Sequence, residues 1–156
     1  MRQTEEGEML GDVDRSVGYL LKQAALALRS AMDTALSPLG LTVPQYACLE
    51  QLGQRPGLSN AQLAEAVFVT RQSMNLVLRG LQERELVTRP ATAPRGRALP
   101  SHLTPAGREL WQAASVAVRA VEKRMLAPFS PAGQEALRRD LAACIAALPA
   151  RRHPEG

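Results

Sequence analysis

The sequence predicts a mostly α-helical protein that carries one small β-hairpin. Of its 156 residues, 46% are hydrophobic but only 3% are aromatic, so the core must be built from Leu, Val and Ala, which favours helices over a β-sandwich. Apolar residues recur at steps of three and four in long segments near both ends. Between them, two short apolar segments flank a Pro- and Gly-bearing tip, which indicates the hairpin. The length favours a single domain, predicted over 12–148.

The first predicted helix follows a polar, acidic segment, residues 1–11, which we expect to be a tail without fixed structure. The helix covers about 12–36, where the apolar positions are Val17, Leu20, Leu21, Ala24, Leu28, Ala31, Met32 and Ala35. Ser37, Pro38 and Gly40 end it. A second helix begins after Thr42, because Gln45 three residues later completes a capping box, and it ends near Gly53.

Two short helices follow in close succession. Ser59 stands three residues before Gln62, and the flanking Leu58 and Leu63 form a hydrophobic staple, so a helix is predicted to begin here. Thr70 can cap the next helix, with Val69 and Met74 as its staple. About four residues separate the two helices, so they must cross steeply.

The second of these helices has two contrasting faces. Its apolar stripe consists of Met74, Val77, Leu78 and Leu81, and its opposite face carries Gln72, Leu76, Arg79 and Glu83, flanked by Ser73 and Asn75, with Arg71 in the first turn. Gln and Asn can pair with adenine, Arg with guanine, and Leu can touch a thymine methyl group. These residue types suit a helix in the major groove, although any solvated helix face is also polar.

The predicted hairpin adds positive charge beside this helix. Its strands are expected at 86–89 and 97–103, with the tip at 90–96. Between residues 71 and 97 the charged side chains are Arg71, Arg79, Arg84, Arg89, Arg95 and Arg97 against Glu83 and Glu85. The formal charge of the whole chain is +4, so its positive excess is concentrated in this segment, which is typical of a nucleic-acid-binding protein.

The chain resembles the MarR (multiple antibiotic resistance regulator) family of winged helix-turn-helix repressors over about 13–148. The matching residues are Leu63-Ala64-Glu65, Thr70-Arg71, Leu81 with Leu86-Val87 and Arg89, and Leu103-Thr104-Pro105-Ala106-Gly107. Arg97 matches the Arg at the tip of the hairpin, called the wing. Two positions depart from the family pattern: Arg95 replaces an Asp at the tip, and Glu85 replaces a Gly before the first strand.

The resemblance implies a winged helix-turn-helix over about 42–104, with dimerisation helices over about 12–36 and 104–148. It implies binding to double-stranded DNA as a homodimer, and a small aromatic or lipophilic acid as effector. The expected DNA-binding residues are Thr70, Arg71, Gln72, Ser73, Asn75, Arg79, Arg89, Arg95 and Arg97. The expected effector cleft is bordered by Tyr19, Tyr46 and Trp111, which could also be ordinary core residues.

The C-terminal segment carries long apolar stripes that a small winged helix could not cover alone. Thr104 and Pro105 begin a helix with Leu110, Ala113, Ala114, Ala117, Val118, Val121 and Met125 on one face. Ser130 and Pro131 begin the last helix, which carries Leu137, Leu141, Cys144, Ile145 and Leu148, and residues 149–156 are a polar tail. We expect a second copy of the chain to cover these stripes, the alternative being a monomer whose terminal helices pack on each other.

Several functional classes are not indicated by the sequence. His102 and His153 have no nucleophile or acid at a recognisable spacing, and there is no Gly-rich phosphate loop, so we expect no catalytic site, metal or cofactor. No apolar stretch is long enough to span a membrane, and no signal peptide is evident, so we expect a cytoplasmic protein. Two alternatives stay open: a winged-helix module that binds only proteins, and a regulator switched by oxidation of Cys48 or Cys144.

Overall fold

The computed structural model of the chain describes residues 15–90 and 99–149, most of which are helical. The elements are α1 (Val17–Leu36), a 3-10 turn (Ser37–Leu39), α2 (Val43–Gln54), α3 (Asn60–Val67), α4 (Arg71–Glu83), β1 (Val87–Thr88), β2 (His102–Leu103), α5 (Pro105–Leu126) and α6 (Pro131–Ala147). This order confirms the predicted fold class. The chain divides into two compact units between Val121 and Glu122, and the predicted domain boundaries stay predictions.

The predicted helix starts are confirmed where side chains cap them. The capping boxes of Thr42 with Gln45 and of Ser59 with Gln62 are both formed. The hydroxyl of Thr70 accepts a hydrogen bond from the Ser73 amide. Each cap satisfies backbone amides that the first helical turn leaves without a partner, which fixes where the helix begins.

The core of the first unit lies between the end of α1, helices α2, α3 and α4, the start of β1, and α5. Its fully buried large side chains include Leu36, Leu49, Leu52, Leu63, Met74, Leu78 and Leu81. Three of the four residues in the predicted stripe of α4 are therefore buried, and the fourth, Val77, packs against the core from a partly exposed position. The polar face of α4 is consequently turned outward.

The wing ladder is shorter than predicted. The strands pair antiparallel only through Val87 with Leu103 and Thr88 with His102, so the expected return strand over 97–103 is wrong for residues 99–101. Pro100 has no amide to donate. Ser101 instead pairs with the segment before α3: its amide donates to Leu58 and its carbonyl accepts from Gly57, both at 2.9 Å.

The first helix also begins later than predicted. Arg15 is outside it, and Ser16 has extended backbone geometry, so α1 starts at Val17. Residues 12–14 and the predicted tail at 1–11 lie outside the described residues. The same holds for 150–156 and for 91–98, which include most of the wing tip and the first two residues of the predicted return strand.

The junction between the wing and α5 is built on close backbone contacts. The Thr104 hydroxyl donates to the Glu85 carbonyl at 2.7 Å and accepts from the Gly107 amide at 2.9 Å. A Cβ atom on Gly107 would lie 2.0 Å from the carbonyl oxygen of Leu86. Glu85 itself has a left-handed backbone, with φ 57°, at the position where the resembling family has Gly. The Thr104 to Gly107 motif therefore brings the start of α5 directly against the end of the α4–β1 turn.

The second unit contains α6, and Ser130 caps it by accepting from the Gly133 amide, as predicted. The Gln134 side chain donates to the carbonyls of Leu126 and Phe129, each at 3.3 Å. Ile145, on α6, is 72% exposed, and Leu148, directly after the helix, is 82% exposed. Apolar side chains are thus exposed near the C-terminal end of this unit.

Candidate nucleic-acid interface

The outward face of α4 carries most of the predicted DNA-binding side chains. Thr70, Arg71, Gln72, Ser73 and Arg79 are exposed, and Asn75 is half-buried. Leu76 lies on the same face and is 62% exposed. The face is therefore polar and basic with one apolar side chain, a composition that can donate to, accept from and pack against base edges.

The first turn of α4 is held in place by its neighbours. Thr70 donates its hydroxyl proton to the Ser73 hydroxyl at 3.0 Å. The side-chain amide of Asn60, at the start of α3, donates to the Arg71 carbonyl at 3.2 Å. These contacts fix the backbone of the turn, so Arg71 and Gln72 project from a rigid base.

The arginines around α4 have different roles in the structure. Arg89 donates from Nε and Nη2 to the side-chain oxygen of Gln82 at 3.2 and 3.0 Å, which fixes its guanidinium beside the end of α4. Arg84 donates to the Gly40 carbonyl at 2.7 Å and so ties α4 to the turn after α1. Arg95 and Arg97 lie outside the described residues, and their DNA contacts stay predictions.

Two of the predicted effector residues meet at a carboxylate that the sequence analysis did not single out. Oε2 of Glu50, on α2, accepts from Tyr46 Oη at 3.0 Å, Trp111 Nε1 at 2.5 Å and Ser115 Oγ at 3.3 Å. Gln54 donates to its other oxygen. We call Glu50 with these four donors the Glu50 cluster. The contacts within α2 could be predicted from the sequence, because Tyr46, Glu50 and Gln54 follow one another at intervals of four residues on one helix.

The Glu50 cluster holds a negative charge with neutral donors. Burial alone would raise the pKa of Glu50, but the hydrogen bonds from Trp111, Tyr46, Gln54 and Ser115 outweigh it and lower the pKa below its usual 4.5. Burial raises the pKa of Tyr46 above 10.0, so its hydroxyl stays a donor. At neutral pH the cluster is therefore a carboxylate with its donors already engaged.

The third predicted effector residue, Tyr19, does not take part in the Glu50 cluster. It lies near the start of α1 and is 39% exposed. The described structure therefore joins Tyr46 and Trp111 through Glu50, and Tyr19 is not among the donors to that carboxylate.

The two cysteines differ in environment. Burial raises the pKa of Cys48 to about 12, and the positive charge of Arg89 lowers it only in part. Because the thiolate is the reactive form, Cys48 is poorly suited to sense oxidants. Cys144 is exposed on α6.

Neither a metal-binding group nor a membrane-spanning helix occurs within residues 15–90 and 99–149. No group of three or more His, Cys, Asp or Glu side chains lies close enough there to hold a metal ion. None of the helices within these ranges is both long and apolar enough to cross a membrane.

Known proteins share both the sequence and the fold. The sequence model of the MarR family matches residues 39–98. The HTH-type transcriptional repressor Rv2887 of Mycobacterium tuberculosis is 46% identical over 128 residues, which make up 82% of this chain and 92% of that protein. The match therefore extends well beyond the helix-turn-helix segment.

Solved structures give the same result. The crystal structure of Rv2887 in complex with DNA is 42% identical, with a TM-score of 0.71 over 83% of this chain and 97% of that one. Its complex with salicylic acid is 45% identical, with a TM-score of 0.68 over 83% and 96%. A "probable transcriptional regulator" from Pseudomonas aeruginosa is 32% identical, with a TM-score of 0.76 over 86% and 100%. With a related sequence along most of its length and the same fold, the chain belongs to the MarR family of transcriptional regulators.

Proposed function

We propose that this chain is a ligand-responsive repressor that binds double-stranded DNA as a homodimer. The observation that carries the proposal is the two-sided character of α4, which buries Met74, Leu78 and Leu81 and exposes polar and basic side chains on the opposite face. A relative that is 42% identical has been crystallised with DNA, which supports the same partner here. The protein would act by binding rather than catalysis, in the cytoplasm.

The residues divide into groups by the DNA contact proposed for them. Gln72, Ser73, Asn75 and Arg79 contact base edges in the major groove, because they lie along the outward side of α4. Thr70 and Arg71, at the start of the helix, contact phosphates. The wing side chains Arg89, Arg95 and Arg97 approach the neighbouring backbone and minor groove, where an Arg gains most over narrow A·T-rich segments.

The test is a measurement of affinity for a random duplex as salt is raised. A protein that neutralises phosphates releases counterions, so log affinity should fall linearly with log salt between about 50 and 200 mM. A duplex selected from a random pool should bind more tightly than the pool. A winged-helix module that binds only proteins would show no steep salt dependence and yield no selected sequence.

The proposed homodimer is supported by apolar side chains exposed on α1 as well as on α6. On α1 Val17 is 75% exposed, Leu26 is 70% exposed, and Leu20 and Leu21 are about half exposed. Exposed apolar side chains of this number usually mark a protein interface. A two-fold symmetric dimer would read a pseudo-palindromic operator with half-sites about 10 bp apart, centre to centre.

The proposed effector is a small aromatic acid that acts at or beside the Glu50 cluster. The complex of Rv2887 with salicylic acid supports this chemical class. In this chain the donors of Tyr46, Trp111 and Ser115 are engaged by the ionised Glu50. A carboxylate ligand would therefore have to replace Glu50 at these donors or bind against its charge.

Trp111 provides the readout, since it is the only tryptophan in the chain. Salicylate should change its fluorescence saturably and release DNA over the same concentration range, whereas salicylamide, which lacks the charge, serves as the control. Glu50→Gln should tighten salicylate binding by about fivefold or more, because a like charge is removed. DNA release by salicylate without any change in Trp111 fluorescence would place the effector elsewhere.

A further inference from the structure

Phe68 ends α3 in the turn before α4, and two features make a phenylalanine unfavourable at this position. Its backbone is left-handed, with φ 63° and ψ 39°, a conformation that residues other than Gly, Asn and Asp rarely adopt. Its side chain is 95% exposed, so the ring gains almost no apolar burial from the protein. An aromatic residue at this position is unfavourable for the free chain on both counts.

The turn around Phe68 is otherwise well ordered by hydrogen bonds. The Phe68 amide donates to the Glu65 carbonyl at 3.4 Å, and the Val69 amide donates to the Ala64 carbonyl at 3.1 Å. Val69 packs against the core. The ring is therefore held on a fixed backbone and pointed into solvent, rather than being exposed by fraying.

Phe68 also stands next to the first proposed DNA contacts. It precedes Thr70 by two residues, so the Cα atoms of the two residues are at most about 7 Å apart. Thr70, Arg71 and Gln72 are all exposed. If the start of α4 lies on phosphates at the groove edge, the Phe68 ring is within reach of the sugars that join those phosphates.

We propose that the Phe68 ring packs against deoxyribose carbons of the DNA backbone, beside the phosphates contacted by Thr70 and Arg71. The inference rests on the proposed function and adds an apolar contact to it. DNA is favoured as the occupant because the surface is continuous with the basic face of α4. A second copy of the chain has other apolar surfaces to cover, on α1 and α6.

A sugar contact has a signature different from that of an arginine. Because it neutralises no phosphate, its loss lowers affinity without changing the slope of log affinity against log salt. Because it does not touch base edges, the loss is similar on random and selected duplexes. The side chain would therefore contribute to affinity but neither to salt dependence nor to sequence preference.

The test compares Phe68→Gly with the unchanged protein on a fluorescent random duplex of about 30 bp, or three helical turns. We expect affinity to fall by about five- to tenfold with the salt slope unchanged. The melting temperature should rise by about 2–4 °C, since Gly adopts the left-handed backbone without strain. Phe68→Tyr, which keeps the ring, should retain the original affinity.

Glu85→Gly is the matched control, because Glu85 is the other non-Gly residue with positive φ among those described. It should also raise the melting temperature, but it should not lower DNA affinity. An effect of strain relief alone would lower affinity in both variants and so overturn the inference.

Other outcomes would also overturn the inference, each for its own reason. If the parent protein binds DNA and Phe68→Gly binds it equally well, the proposed sugar contact is wrong but the proposed function stands. A lower melting temperature means that the ring is covered by its own chain, and a loss of dimer means that it lies in the subunit interface. If the parent protein binds no duplex at all, the proposed function fails first.

Discussion

At Gly107 the main chain of α5 passes so close to Leu86 that there is no room for a side chain. A Cβ there would lie 2.0 Å from a backbone oxygen, which cannot move without breaking its bond to the Thr104 amide. Gly107→Ala should therefore lower the free energy of unfolding by about 2–3 kcal/mol. Urea denaturation measures the change.

The control for Gly107→Ala is the helical glycine of α4. A Cβ on Gly80 would meet only the far end of the Gln45 side chain, at 3.9 Å. Gly80→Ala should stabilise the protein by up to about 1 kcal/mol, since Ala has the higher helix propensity. Similar losses in the two variants would contradict the steric explanation for Gly107.

The Glu50 cluster makes a pH-dependent contribution to stability. Because hydrogen bonds lower the pKa of Glu50 in the folded state below its unfolded value of 4.5, folding favours the ionised form. The contribution is complete above the unfolded pKa and is lost as the pH falls through the folded one. Glu50→Gln should therefore lower the melting temperature most at neutral pH.

The measurement is the difference in melting temperature between Glu50→Gln and the parent protein, followed from about pH 7 down to about pH 3. The difference should narrow below pH 4.5. A constant difference over this range would mean that the carboxylate charge has no role and that Glu50 acts only through its shape.

At the scale of the element, α4 makes the specific part of the proposed DNA contact. Arg79 is exposed on its outward face, and Arg79→Ala should weaken binding to a selected duplex by about 1–3 kcal/mol while changing binding to a random duplex little. Competition between the two duplexes measures both affinities. Equal losses on both would assign Arg79 to a phosphate.

How far the elements could be predicted depends on how local their causes are. Helices α2, α3, α4 and α6 begin where Thr42, Ser59, Thr70 and Ser130 cap them, because a cap and its target amide are three residues apart. The return strand of the wing is shorter than its sequence predicts, since Ser101 pairs with Gly57 and Leu58, more than forty residues earlier. No sequence pattern near Ser101 indicates that pairing.

The candidate site shows the same limit. The outward face of α4 could be predicted because helical periodicity assigns each side chain to a face. The Glu50 cluster could be predicted only within α2, since Trp111 and Ser115 reach it from α5. The left-handed backbone of Phe68 carried no signal, because Gly or Asn would ordinarily mark such a position.

For the molecule as a whole, the exposed apolar side chains on α1 and α6 predict that two copies of the chain form a dimer. Ile145→Glu places a charge on an exposed apolar position of α6, where it would be buried if two chains packed there. Light scattering at micromolar concentration should therefore show a shift from a dimer towards a monomer of 16.8 kDa. Leu76→Ala, on the outward face of α4, should leave the mass unchanged. If the parent protein is a monomer, the prediction of a symmetric operator is wrong as well.

The contacts of Glu50 with α5 should also affect the rate at which the folded chain unfolds. Trp111 and Ser115 donate to it across 61 and 65 residues of sequence, so these bonds require a large loop to close and should form late in folding. Their loss would then accelerate unfolding while leaving the folding rate nearly unchanged. In stopped-flow experiments Glu50→Ala should raise the unfolding limb of the chevron more than it lowers the folding limb, so this carboxylate would prolong the lifetime of the native state.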